Sequence, residues 1–191
     1  MTPQPFDGHR PAFGPAGQLY YRAFGMARRV ISHDALALFA RIVIAGVFWR
    51  SLILKVETFG VMHYVEVINN FEVERFRFKL PELPLTLKQT TLNQFAGDFA
   101  LPLIPPGVAA WMATLAEFTL PILLVLGLAT RLSALGLIGM TLVIQIFIFP
   151  TWAHFWGTAA LWLVPLLYLV SRGGGRLSLD FVIGRKLAPS A

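Results

Sequence analysis

The sequence has no cysteine, and it has few charged residues for its length. The first absence excludes disulfides, thiolate metal sites and thiol redox chemistry together. The shortage of charge is large: 14% of the 191 residues are charged and 56% are hydrophobic, whereas a soluble domain carries about 25% charged residues. Because so few polar side chains cannot cover a water-soluble globule, the composition indicates a membrane protein.

Several motifs of known function are also missing. The chain contains no phosphate-binding loop, nucleophile elbow or zinc-hydrolase motif. Residues 1–34 lack a continuous apolar core and a small-residue cleavage site, so we expect no cleaved signal peptide. The net charge of +6 suggests a nucleic-acid partner, but the basic residues flank apolar runs and form no single patch. We therefore expect no nucleic-acid binding.

Four apolar segments approach the length of about 20 residues that a membrane-spanning helix needs. They cover residues 35–56, 108–128, 132–149 and 152–170. The second, third and fourth segments follow one another after links of only three and two residues. Such short links make neighbouring helices antiparallel. The sequence thus predicts an all-α integral membrane protein whose membrane domain, residues 35–171, is an antiparallel four-helix transmembrane bundle.

Lys and Arg are distributed unevenly between the segments that join these spans. The tail over residues 1–34, the link that contains Arg131 and the tail over residues 172–191 are basic, whereas the loop over residues 57–107 has six acidic residues against four basic ones. Basic segments remain in the cytoplasm. We therefore predict that both termini are cytoplasmic and that the 57–107 loop lies outside.

Two segments outside the spans show a periodic pattern. Apolar residues recur at helical spacing from Leu19 to Val30, which predicts an interfacial amphipathic helix over residues 18–31; an unstructured basic tail is the alternative. In the outer loop, apolar and charged residues alternate in places from Tyr64 to Leu80, around Asn69-Asn70. This pattern predicts a β-hairpin. It would cover the outer mouth of the bundle or contact a partner, and we favour the cover.

Charged residues inside the spans need an explanation, because a cation in hydrocarbon costs roughly 2.5 to 3.5 kcal/mol or more. The stretch FWRSLILK places Arg50 and Lys55 in the outer half of the first span, and Glu117, the only acid in the four spans, lies at a depth within roughly 5 Å of Arg50. We therefore predict that Arg50 and Lys55 face inward and that one of them pairs with Glu117. Arg41, near the inner end, is expected to snorkel to the interface.

Further polar and aromatic residues map to the same outer half. These residues, with the charged ones, form the candidate set for substrate or quinone binding: Trp49, Arg50, Lys55, Glu117, Gln145, His154 and Trp156. Glu117 and His154 are the candidates for a catalytic role. Structural readings stay open, since an ion pair can simply join two helices and tryptophans commonly form an interfacial belt. One histidine and one acid are too few ligands for a metal, so we expect none.

Three stretches make the chain similar to the DoxX family of small four-helix membrane proteins. They are FWRS followed by Lys55 in the first span, AEFTLPILLVLGLATRLSALGL at 116–137 and SRGGGRLSLD at 171–180. The chain departs from many relatives at Arg50-Ser51, where they carry a His-Gly pair, and after the glutamate, where they carry a Gly pair. The resemblance covers roughly residues 35–60 and 92–182, which makes the long loop an insertion.

The resemblance implies a protein of the bacterial inner membrane that is linked to redox complexes. Some relatives are the membrane subunit of thiosulfate:quinone oxidoreductase, and others accompany oxidative-stress or metal-peptide systems. Two functions follow for this chain. It is a quinone-interacting subunit of an oxidoreductase, with no covalent cofactor and with a partner subunit that supplies electrons, or it is a non-catalytic membrane scaffold or accessory factor. Whether it is an enzyme, and whether it forms a homo-oligomer, stays open.

The charge distribution yields a direct test of topology. Alkaline phosphatase fused after Ala191 should be inactive, because the enzyme folds only outside the cytoplasm, and the same reporter fused within the 57–107 loop should be active. Activity measured in intact cells distinguishes the two locations. An active fusion after Ala191 would refute the predicted orientation.

Overall fold

The computed structural model describes residues 32–57, 60–68, 71–79 and 85–187, together with Leu19 and Gly25. Its secondary-structure elements, in chain order, are α1 His33–Lys55, β1 Gly60–Ile68, β2 Phe71–Lys79, α2 Gln89–Ala96, α3 Pro106–Leu126, α4 Thr130–Ile148, α5 Trp152–Arg172 and α6 Leu179–Leu187. The predicted amphipathic helix over residues 18–31 and the predicted Asn69-Asn70 turn lie outside the described residues.

Four helices, α1, α3, α4 and α5, are long and apolar enough to cross a membrane within the described part of the chain. This confirms the prediction of a multi-pass helical membrane protein. Each helix lies within a few residues of its predicted span, and α1 begins early because the Ser32 hydroxyl accepts a hydrogen bond from the Ala35 N–H. Large apolar side chains such as Phe39, Leu132 and Val164 are 65%, 71% and 69% exposed, as expected for a lipid-facing surface.

The four long helices pack in a closed ring. Helix α1 contacts α3 and α5, and α4 contacts the same two helices from the other side. The buried centre of the ring is formed by apolar side chains of all four helices, among them Ile44, Phe48, Leu124, Leu137 and Leu166. The ring has two ends, which we name by their connections. The loop end is where α1 ends and α3 begins, and the terminal end is where α1 begins and α5 ends.

The segment between α1 and α3 carries two antiparallel strands and a short helix. Strand β1 pairs with β2 from Gly60 opposite Lys79 to Ile68 opposite Phe71. After the strands, the chain returns to the end of α1: the Thr91 hydroxyl and the Lys88 N–H both donate to the Lys55 carbonyl, each at 3.0 Å. Because the last carbonyls of a helix lack intrahelical partners, these bonds complete α1 and fix α2 over the loop end.

At the terminal end, residues 173–180 form what we call the C-terminal clamp. The carboxylate of Asp180 accepts hydrogen bonds from the Ala129 and Thr130 N–H groups at 2.7 and 2.8 Å, where α4 begins. Near the start of α1, Asp34 accepts from the Arg176 N–H at 2.7 Å. The clamp therefore joins the beginnings of α1 and α4, in a part of the chain that the sequence assigned to a cytoplasmic tail.

The clamp explains how Arg41 is tolerated in α1. The prediction that Arg41 snorkels is wrong, because this residue is 0% exposed. Its Nη2 donates to the Leu177 carbonyl at 2.6 Å, and the Asp180 carboxylate attracts its guanidinium through space. Among the described residues, its Nε and Nη1 have no hydrogen-bond partner. Since burying an unsatisfied polar group is unfavourable, the contacts with the clamp are what offset the burial of this cation.

Gly127 ends α3 directly beside Arg41. Its φ of +68° lies in the left-handed region, which a residue with a Cβ adopts at a cost of roughly 1–2 kcal/mol. A Cβ at this position would also lie 2.8 Å from the Cα of Ser178 and would overlap with Nη1 of Arg41. Both the backbone angle and the close approach of the clamp therefore require glycine.

We expect Gly127→Ala to lower the free energy of unfolding by about 2 kcal/mol or more, because left-handed strain adds to displacement of the clamp. Thermal unfolding of the detergent-solubilised protein, followed by circular dichroism, measures this. Gly139→Ala is the matched control, since Gly139 lies inside α4 and an added methyl group there would meet no atom within 4 Å. Equal melting temperatures for the two variants would contradict this account of the clamp.

Candidate functional site

The centre of the candidate site is an ion pair between α1 and α3 near the loop end. The Lys55 ammonium donates to the two carboxylate oxygens of Glu117 at 2.6 and 2.7 Å and to the Ser51 hydroxyl at 2.7 Å. Glu117 is 2% exposed. Each of the three N–H groups of the ammonium therefore has an acceptor. A charge inside a membrane protein needs both an opposite charge and hydrogen-bond partners, and Lys55 has both.

This geometry confirms that Glu117 faces the interior of the bundle and pairs with a cation of α1. The prediction that Arg50 also faces inward is wrong, since Arg50 is exposed. The reason is helical phase: a residue five positions before Lys55 lies roughly 140° around the helix from it, whereas Ser51, four positions before, lies roughly 40° away. Equal depth in the membrane brought Arg50 into consideration, but depth does not determine the face of the helix.

A second polar pair links α4 to α5. Gln145 uses its Nε2 to donate to the carbonyls of Phe149 and Thr151, at 3.1 and 3.2 Å. Its Oε1 lies 2.7 Å from Nδ1 of His154 and must accept from it. This contact places a proton on Nδ1 of His154 and leaves Nε2 as the ring nitrogen that Gln145 does not engage.

Both residues of this pair lie at irregular turns of their helices. Gln145 belongs to a π-helical turn over Ile144–Ile148, and His154 directly precedes another over Phe155–Ala159. π-helical turns interrupt the regular α-helical register and are frequent at functional sites. Here they lie on either side of the three-residue link between α4 and α5.

One cavity of about 370 Å³ is lined by the Lys55–Glu117 pair and by His154 of the second pair. Its size is within the usual range for a small-molecule site. Lys55, Glu117, Ser51 and His154 supply its polar lining. The remaining lining is mostly apolar and aromatic, with side chains from α2, α3, α4, α5 and the α2–α3 link, including Phe95, Phe99, Met112, Met140, Phe149 and Trp162. A flat apolar molecule with polar groups at its ends matches this arrangement.

The structure brings together some of the predicted candidates and separates others. Lys55, Glu117 and His154 line the cavity, and Gln145 supports His154 from behind. Trp49 instead stacks on Phe118, with ring centroids 6.0 Å apart, and lines a groove between α1 and α3. Trp156 is 68% exposed. The roles proposed for the lining residues stay predictions.

Sequence reasoning missed Ser51 and most of the apolar lining. Ser51 could have been predicted from its spacing, because it lies four residues before Lys55 and therefore on the same side of α1. Phe95 and Phe99 had none, since they belong to the long loop and reach the cavity only because α2 is bonded to the end of α1. Trp162 and Met140 are apolar residues of spans, whose sequence pattern does not separate cavity-facing from core-facing positions.

Comparison with known proteins places these elements in a family. The sequence model of the DoxX family matches residues 36–150, from the beginning of α1 to the end of α4. The matched region contains the Lys55–Glu117 pair and Gln145, whereas His154 and the C-terminal clamp follow it. Neither the search of curated proteins nor the search of solved structures gave a match.

We expect Lys55→Met to reduce the free energy of unfolding by about 3–5 kcal/mol, because Glu117 would remain buried without a partner. Glu117→Gln should be similarly harmful, and the double variant should lose much less than the sum of the two. Arg50→Gln, a cation of the same helix on its exposed side, is the control and should change stability by less than about 0.5 kcal/mol. Denaturation of all four purified proteins gives the coupling energy, and additive losses would contradict the pair.

Proposed function

Because the chain belongs to the DoxX family of membrane proteins, we propose that it is a redox-associated membrane subunit whose cavity binds the head group of a quinone. The main support is a single cavity with a mostly apolar and aromatic lining. Its polar groups are the Lys55–Glu117 pair with Ser51, on α1 and α3, and His154 on α5. A quinone ring is flat and apolar, and its two carbonyl oxygens lie at opposite ends of the ring. The cavity has polar groups on α1 and α3 and a further one on α5.

The hydrogen-bonding capacity of the lining suits such a ring in both redox states. The Ser51 hydroxyl accepts from Lys55 and also hydrogen-bonds the Glu117 carboxylate, and in this proposal its proton turns from that carboxylate to a quinone oxygen. Nε2 of His154 accepts when the ring is neutral, because the contact with Gln145 places the proton on Nδ1, and so it suits the hydroxyl of the reduced form. The oxidised and reduced heads therefore each have one complementary partner.

Reduction of a quinone consumes two electrons and two protons. In this proposal, one proton moves between Nε2 of His154 and one ring oxygen, and the second moves between the Lys55 ammonium and the other ring oxygen through the Ser51 hydroxyl. Both groups then exchange their protons with water. The electrons come from a partner subunit, because the sequence lacks cysteine and recognisable cofactor motifs. In this proposal, strands β1 and β2, in the segment between α1 and α3, are the docking surface for that subunit.

The location of the protein follows from the same reasoning. We place it in the inner membrane of a bacterial cell, with the terminal end in the cytoplasm and the loop end outside, because the basic segments cluster at the terminal end. The quinone cavity then lies in the outer half of the membrane.

A scaffold function is the second candidate, and one observation favours it. The Lys55 donors are all satisfied within the protein, so the ion pair is complete without a ligand. Joining α1 to α3 would then be a sufficient reason for its presence. In this alternative, the protein would hold a redox or stress-response partner at the membrane and would itself bind no quinone.

Binding of ubiquinone-1 to the detergent-purified protein separates the two candidates. Ser51→Ala and His154→Phe should each weaken binding, measured by equilibrium dialysis, by roughly fivefold, as expected for the loss of one hydrogen bond. Trp156→Phe changes an aromatic side chain that is 68% exposed on the same helix and should leave affinity unchanged. Absence of binding to the wild-type protein, or equal weakening by all three substitutions, would favour the scaffold.

A further inference from the structure

A second cavity, of about 820 Å³, lies at the terminal end of the bundle. Three arginines from different segments line it: Arg131 at the start of α4, Arg172 at the end of α5, and Arg176 in the C-terminal clamp. Because the ends of the four helices alternate in direction, this cavity lies at the opposite end from the quinone site. It is also more open, and it has no part in the function proposed above.

The charges of this cavity are unbalanced. Its two acids are already used by backbone groups, since Asp34 accepts from the Arg176 N–H and Asp180 accepts from the Ala129 and Thr130 N–H groups. The salt bridge found among the described residues joins Lys55 to Glu117. No described carboxylate therefore forms an ion pair with any of the three arginines. All three are exposed at the opening. The lining therefore carries three guanidinium groups against two carboxylates, an excess of one positive charge, and within the described part of the chain none of the three is paired with a carboxylate.

Apolar side chains adjoin these cations. Leu132 also lines the cavity and is 71% exposed, and Phe181 lines it and is 39% exposed. A site for a free inorganic anion gains nothing from exposed apolar neighbours, whereas a phospholipid has a phosphate directly attached to apolar chains. Basic pockets between transmembrane helices are a known recognition mode for acidic lipid head groups.

We infer that this cavity binds a phosphate group, and that its source is the head group of an anionic phospholipid. The three arginines hold the phosphate by charge-assisted hydrogen bonds, which planar guanidinium groups form in pairs. The acyl chains continue along Leu132 at the surface of the bundle. A bound lipid would bridge α4, α5 and the clamp, and would stabilise the contact that keeps Arg41 buried.

The test is binding of phosphatidylglycerol to the full-length, detergent-purified chain by native mass spectrometry, with phosphatidylcholine as the zwitterionic reference. The protein should bind phosphatidylglycerol in preference. Arg131→Gln with Arg172→Gln should weaken that binding on the order of tenfold. The matched control is Arg185→Gln with Lys186→Gln, which removes the same charge from the last turn of α6, outside the cavity, and should leave affinity within about twofold of wild type.

Each result either supports or overturns the inference. Equal binding of the two lipids would show that the protein does not recognise the charge of the head group, and equal weakening by the two double variants would show that only general charge attraction acts. Either result would overturn the inference. Complete displacement of the lipid by millimolar inorganic phosphate would make free phosphate the ligand and overturn the lipid source. Circular dichroism of each variant checks folding. If the arginine double variant is unfolded, the preference of the wild-type protein for phosphatidylglycerol is measured at low and at high salt instead. Salt should reduce this preference, because it screens the arginine charges, and a preference that salt does not reduce would also overturn the inference.

Discussion

The placement of α1 against α3 depends on one constraint, which is that a charge inside a membrane needs a partner of opposite sign at the same depth and on the facing side of the neighbouring helix. Lys55 and Glu117 meet both conditions, and Ser51 uses the remaining donor of the ammonium. Neutral side chains of similar volume would hold two helices together at least as well. A membrane protein that keeps a pair of charges here therefore retains groups that can also interact with a ligand.

The two ends of the bundle deal with buried polarity in different ways. At the loop end, the ion pair and His154 face one shared cavity, Gln145 holds His154 from outside it, and Phe95 of α2 contributes to its lining. At the terminal end, Arg41 is enclosed by the chain itself, and the cavity beside it is open and cationic. The first end encloses a mostly apolar cavity, and the second presents an open cavity lined by arginines.

The sequence was sufficient for the four spans and for the pairing of Glu117 with a cation of α1, because hydropathy gives helix length and residue count gives depth, but it left Arg50 and Lys55 as alternatives. It was insufficient for the orientation of Arg50, since the pairing was judged by depth and not by position around the helix. The burial of Arg41 was out of reach for a different reason: its hydrogen-bond acceptor lies 136 residues later in the chain. The π-helical turns beside Gln145 and His154 have no sequence signature of comparable strength.

That long separation has a consequence for how the protein is made. At typical rates of synthesis, Leu177 leaves the ribosome on the order of ten seconds after Arg41. During this interval α1 is in the membrane with a cation whose carbonyl acceptor does not yet exist. The newly made helix must keep this side chain in contact with water, lipid phosphate or the insertion machinery until the clamp arrives. Closure of the terminal end is thus the last step of assembly, and a chain that stops before residue 177 presents an uncovered arginine to membrane quality control.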